Sequence, residues 1–242
     1  MPIGIIINSI AIFIGGIVGG NIGHLLPNRI KTEMNLILGV ASMTMGVYAI
    51  APMKNMPAVI FSVVVGTALG LVFRLGNKMN QGALWMQKPI AKLFSGEQTT
   101  LSQEDFLNQL VTIIVLFCAS GTGIYGSLDL GMTGDSSVLI AKSILDFFTA
   151  MIFAAQLGYV VSVIAIPQFI IFFLLFLGAK MIFPLTTPAM ILDFKACGGV
   201  LMLATGFRII QVKMFPVADM IPAMILAMPF SWVWVNWIMP LL

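Results

Sequence analysis

The chain has 242 residues, of which 60% are hydrophobic and 9% charged, with a formal net charge of +3 and a mean hydropathy of +1.06. Soluble domains run near ~45–50% apolar and ~25% charged, and the 12 basic and 9 acidic side chains here are too few to cover a soluble surface. The covering solvent must be lipid, and because the basic residues fall at the ends of apolar runs, the positive balance reads as positive-inside loops and excludes a nucleic-acid surface.

A hydrocarbon core about 30 Å thick takes ~20 apolar residues per helix. Such runs occur at 4–24, 34–52, 56–75, 106–124, 137–160, 164–183, 196–212 and 216–240. The first carries Asn8 and Asn21 and no basic residue precedes Arg29, so it reads as a retained helix and not a removable signal. Gly15 with Gly19, Gly16 with Gly20, Gly19 with Gly23, and Gly66 with Gly70 stand at helix-packing spacing. They point to packing inside the bundle, with a homodimer seam as the alternative. His24, the lone histidine, closes the first run and reads as interfacial.

After the third run, Trp85, Met86, Ile90, Leu93 and Phe94 interleave with Lys88 and Lys92, the pattern of an amphipathic helix on the membrane surface. Ser102, followed by Gln103, Glu104 and Asp105, reads as a capping box that opens the fourth span. The chain thus divides into an N-terminal membrane repeat of three helices (1–76), a cytoplasmic amphipathic linker (77–103) and a C-terminal membrane region of four to five helices (104–242). At the outward end of span four, Gly121, Gly123 and Gly126 look too loose for a regular helix end, and 127–136 reads as an outward loop with Asp129 and Asp135. Only Ser162 and Pro167 interrupt the apolar stretch that follows, so the count is seven or eight spans.

Arg29 and Lys31, then Arg74, Lys78, Lys88 and Lys92, then Arg208 and Lys213 mark alternate loops as cytoplasmic. With eight spans both termini lie outside. Gly39, Val40 and Gly46 match Gly199, Val200 and Gly206 at one offset, and Met56, Pro57 and Ala58 match Ile221, Pro222 and Ala223. By the loop charges the two copies cross the bilayer in opposite directions, the pattern of an inverted repeat.

If a helix starts near Ser136, a rise of ~1.5 Å per residue puts Lys142 about 9 Å and Asp146 about 15 Å inside it. A charge at that depth costs at least ~2.5–3.5 kcal/mol and must face the bundle interior. Lys142 is placed four residues away to pair with Asp146. One reading is an ion pair that only fixes packing; the other is the charged element of an ion, proton or solute pathway. Asn8, Ser143, Gln156, Ser120 and Thr122 are the polar residues at membrane depth assigned to that pathway. Ser9, Asn21, Thr149 and Gln168 also lie at that depth and read as interhelical hydrogen-bond partners. Cys118 and Cys197 sit in apolar runs without disulfide or zinc spacing. No Walker loop, dinucleotide fingerprint, histidine pair or Ser/His/Asp set occurs, so no enzyme, metal or cofactor is expected.

The runs 116–126 (LFCASGTGIYG), 132–135 (MTGD) and 140–154 (IAKSILDFFTAMIFA) closely resemble the YqgA-type inner-membrane proteins of bacteria, a family of unknown function. The likeness continues through 184–188 (PLTTP), 203–208 (LATGFR), 213–216 (KMFP) and 226–229 (LAMP). The resemblance implies a multi-pass protein of the bacterial cytoplasmic membrane and transfers no substrate or functional residue. The fold expected is all-α, a polytopic bundle of seven to eight transmembrane helices with an inverted repeat. The function expected is a secondary transporter or ion-coupled carrier of a small solute or ion, with the lipid bilayer as its other partner. A non-transporting scaffold or sensor using the Trp85 segment, or a channel, is the alternative.

Overall fold

The computed structural model describes residues 1–25, 27–93 and 102–241, and no strand occurs among them. Helix α1 (Ile3–Ile22) is followed by α2 (Asn28–Ile50), which starts after an extended Pro27. Helix α3 (Met56–Val72) carries Pro57 in its first turn, where a missing N–H costs nothing. It stops at Arg74, whose φ of 50° is left-handed, and α4 (Leu75–Leu93) departs at 59°. Helices α5 (Gln103–Cys118) and α6 (Gly121–Thr133) form one interrupted crossing. Gly134, at φ 79°, ends it and Gly158, at φ 76°, ends α7 (Ser137–Leu157), both conformations that a side chain would strain. A single turn, α8 (Val160–Val163), leads into α9 (Ala165–Ile182). Helix α10 (Pro188–Ile209) is capped by Thr187, and α11 (Val217–Val233) runs on into a wider π turn, Trp234–Ile238.

Seven helical segments among the described residues are long and apolar enough to cross a membrane, and the bent pair α3–α4 makes an eighth if counted as one span. The chain is an all-helical membrane protein. Large apolar side chains such as Ile10, Phe13, Ile37, Val64, Leu174 and Ile225 lie exposed along its flanks, the surface a membrane-spanning bundle turns to lipid.

Helix directions follow from the glycines, because a Cβ added there would strike a neighbouring backbone. On Gly15 it would lie 2.4 Å from the Phe147 carbonyl oxygen, on Gly19 2.2 Å from that of Met151, and on Gly23 2.4 Å from the Ala155 side chain. Helices α1 and α7 therefore run parallel. Gly46 meets Gly199, and Gly39 meets Gly206, so α2 and α10 are antiparallel; Gly66 against Ala223 and Gly70 against Asp219 make α3 and α11 antiparallel. The glycine pairs of the sequence are thus used inside the chain, including Gly16 and Gly20, which face Ser162 and Tyr159. These pairings put the α1–α2, α3–α4 and α10–α11 junctions at one end of the bundle, with Arg29, Arg74, Lys78, Arg208 and Lys213.

The structure differs from the sequence reading in four places. Gly121, Gly123 and Gly126 are regular helix, since Gly123 lets α6 close on the Phe172 ring, 2.1 Å from where its Cβ would be. The irregularity lies one step earlier, at Ala119 and Ser120. Asp129 is therefore in a helix rather than a loop. Helix α10 starts at Pro188, eight residues before 196, so Asp193 and Lys195 are helical too. The surface segment is helical as α4, but Ala83, Gln87 and Ile90 are buried while Trp85 is 79% exposed, so Ile90 and Trp85 do not share a face. Phe94 lies outside the described residues. Of the expected capping box the N-cap half forms: the Ser102 hydroxyl accepts the Asp105 N–H at 3.1 Å and donates to the Asp105 carboxylate at 2.6 Å.

Candidate functional site

Three helices, α1, α7 and α9, bring polar side chains together in the interior of the bundle. On α7, Lys142 and Asp146 stand one turn apart and pair directly, both buried. Asn8 of α1 donates from Nδ2 to Asp146 Oδ2 at 2.8 Å. Its Oδ1 accepts from Nε2 of Gln168 on α9, and Gln168 Oε1 accepts from the Ser9 hydroxyl at 2.8 Å. Asn8 and Gln168 have no exposed surface. The Lys142 ammonium lies 5.9 Å from the centre of the Phe172 ring on α9, within cation–π range. An unbroken path of hydrogen bonds therefore joins a charged pair to two neutral amides and a hydroxyl across α1, α7 and α9. Such an array can hold a charge away from water, or rearrange around a small polar solute or a proton.

Of the residues assigned to the pathway, Asn8, Lys142 and Asp146 meet here. Ser143 is buried on the same helix but donates to its own Leu139 carbonyl at 2.7 Å. Ser120 caps α6, accepting the Gly123 N–H at 3.2 Å, and Thr122 is buried in that first turn. Gln156 is exposed near the other end of α7. Gln168 and Ser9 complete the network instead; the sequence shows their depth but not which helix faces α1.

Two further carboxylates are buried. Asp193, fully buried on α10, accepts the backbone N–H of Lys54 (2.9 Å) and of Asn55 (2.8 Å), Asn55 Nδ2 (2.8 Å) and the Ser231 hydroxyl (2.6 Å). It sits where the α3 dipole favours an anion and ties α3, α10 and α11 together. Asp129 on α6, 1% exposed, lies 3.0 Å from Lys195 of α10, accepts the Thr133 hydroxyl at 3.1 Å and the Tyr125 hydroxyl at 3.4 Å. Lys195 is also 3.5 Å from Asp135 in the α6–α7 turn. Hydrogen bonds from Ser137 hold the Asp135 carboxyl below its ordinary 3.8. Among the described residues no three His, Cys, Asp or Glu side chains gather as a metal site, and both cysteines are free and buried.

One cavity, about 640 Å³, lies between α6, α9, α10 and α11. Its walls, including Leu128, Met132, Leu174, Met224 and Met228, are apolar, so it suits acyl chains and contributes nothing to the charged centre. Another, about 420 Å³, opens beside Asp135 and Lys195.

Residues 3–232 match the family described as "Protein of unknown function (DUF554)". The chain belongs to this family. It is 47% identical over 237 residues, 98% of its length and 99% of the relative's, to "Uncharacterized protein YqgA" of Escherichia coli (strain K12). It is 24% identical over 227 residues, 92% and 93% of the two chains, to "Uncharacterized membrane protein YdfK" of Bacillus subtilis (strain 168). No solved structure matches it.

Proposed function

We propose that this DUF554 protein is a secondary transporter or ion-coupled carrier of a small solute, residing in the bacterial cytoplasmic membrane. The observation that carries the reading is the ion pair itself. Lys142 and Asp146 are buried within a helix apolar enough to cross a membrane, where a charge is expensive and is retained chiefly for pathways and relays, and hydrogen bonds link Asp146 to two other helices.

An inverted repeat supports the same reading, because carriers of this kind bind near the midplane at the repeat interface. A residue on the axis of such a repeat meets its own equivalent. Asn8 bonds Gln168, and the Ser42 hydroxyl donates to the Met202 carbonyl at 3.2 Å; both pairs are 160 positions apart. The same spacing relates Gly39 to Gly199 and Gly46 to Gly206. Those glycines cross reciprocally: a Cβ on Gly206 would meet the Gly39 carbonyl oxygen at 2.7 Å, and one on Gly199 that of Gly46 at 2.6 Å. The charged pair then lies beside the axis, in contact with Asn8.

A scaffold without transport is favoured by one feature: Lys142 and Asp146 are on the same helix and satisfy one another without a second element. Flux into proteoliposomes separates the two. Candidate ions and small organic acids are screened against wild type and Asp146→Glu, which keeps the charge but displaces it. Transport expects a specific wild-type flux whose KM or rate shifts in Asp146→Glu. A screen in which no flux depends on Asp146 supports the scaffold.

A further inference from the structure

We propose that the cavity at the end of the bundle opposite Arg29 and Arg208 binds a small organic monocation, an ammonium or guanidinium compound, through Asp135 and the flanking tyrosines. The cavity is about 420 Å³ and is lined by Tyr48, Tyr125, Asp129, Asp135, Leu192 and Lys195, a volume in the range of small-molecule sites. It is walled by α2, α6 and α10 and by the turn that opens α7.

The charges select the ligand. Asp129 and Asp135 carry two negative charges and Lys195, 3.0 Å from the first and 3.5 Å from the second, supplies one positive. The cluster is left with one net negative charge. Asp129 is buried and its oxygens are engaged by Lys195, Thr133 and Tyr125, so it serves to hold the lysine in place. Asp135 is different: its side chain is 39% exposed and it faces the cavity. An anion entering would compete with two carboxylates already on the one lysine, whereas a monocation neutralises the site. Tyr48, 71% exposed, and Tyr125 add aromatic wall, which attracts organic cations more than a small hydrated metal ion. The Ser137 N–H orients Asp135 by its Oδ1 at 2.9 Å, and Oδ2, 3.5 Å from the Lys195 ammonium, keeps lone-pair capacity for a further donor.

The test is titration calorimetry on the detergent-solubilised full chain with methylammonium chloride, guanidinium chloride, sodium chloride and sodium acetate. Binding needs no flux, so this proposal stands or falls apart from the transport reading. The expected result is saturable binding of methylammonium or guanidinium, weakened at least about tenfold by Asp135→Asn. Tyr48→Leu, at an exposed position, should weaken it roughly two- to fivefold and keeps the test open should Asp135→Asn not fold. The double variant Lys142→Met/Asp146→Asn should bind as wild type does. The proposal is overturned if neither organic cation binds saturably, if sodium binds equally well, if acetate is preferred, or if neither Asp135→Asn nor Tyr48→Leu changes the affinity.

Discussion

Single buried carboxylates in this protein do different work according to what completes their hydrogen bonds. Among the described residues no cation pairs with Asp193; four donors from two segments, 54–55 and α11, converge on it instead. Replacing it with alanine strands those donors in a buried site at ~1–3 kcal/mol each. Asp193→Ala should therefore lower the thermal stability of the solubilised protein by at least ~2 kcal/mol, whereas Asp193→Asn, which keeps an acceptor oxygen, should lose less. Equal stability of wild type and Asp193→Ala would remove the anchoring role. Asp135 offers a pH test. Its carboxyl is held below the ordinary 3.8, chiefly by Ser137. A depressed carboxyl contributes stability that is present above its unfolded value and is lost as pH falls through the lower folded value. The stability difference between wild type and Asp135→Asn should thus be flat above roughly pH 5 and close only below pH ~4. A difference that grows on acidification would show the opposite shift.

At the level of helices, close backbone approach sets the architecture. The α2–α10 crossing depends on Gly46 and Gly199, each of which would put a Cβ against the other's carbonyl oxygen, at 2.7 and 2.6 Å. The obstruction is backbone, which cannot swing aside. Gly199→Val should cost ~1–3 kcal/mol or more by overpacking, read as a lower midpoint in thermal aggregation, while valine at Gly178, which has no neighbour within 4 Å, should be tolerated. The packing glycines Gly15, Gly19, Gly66 and Gly70 were legible in the sequence, because small residues at helical spacing have few other uses in a membrane, whereas Gly46 and Gly199 were read only as matching positions of a repeat. Asp129 and Lys195 were not legible. A hydropathy window scores each charge alone and places it at an interface; neutralisation across α6 and α10 depends on a contact 66 positions apart that no local pattern records. The same blindness ended span four early and began span seven late. In α4 the periodicity was readable but its sides were not: Ile90 packs toward α5 while Trp85 faces outward, and only the docking of α5 decides between them.

For the whole molecule, the parallel and antiparallel helix pairs agree with one alternation of direction along the chain, and basic loops fall at one end. Cysteines replacing Asn80, exposed on α4, and Ser137, exposed at the start of α7, should label from opposite faces of the membrane. Labelling from the same face would break the alternation and remove the basis of the proposed inverted repeat. The Lys142–Asp146 pair is buried where α1, α7 and α9 meet, and it either moves a solute or merely packs. Removing one partner of a buried pair typically costs ~3–5 kcal/mol, while removing both can be nearly neutral. Lys142→Met and Asp146→Asn should each destabilise the protein, and their combination should restore most of the loss. The decisive measurement is flux through proteoliposomes of the double variant, at a reconstituted density matched to wild type and for whichever solute wild type carries. A pathway through Lys142 and Asp146 requires a folded double variant of near wild-type stability with flux reduced to the protein-free background, and a double variant that folds and carries the solute at the wild-type rate would contradict it.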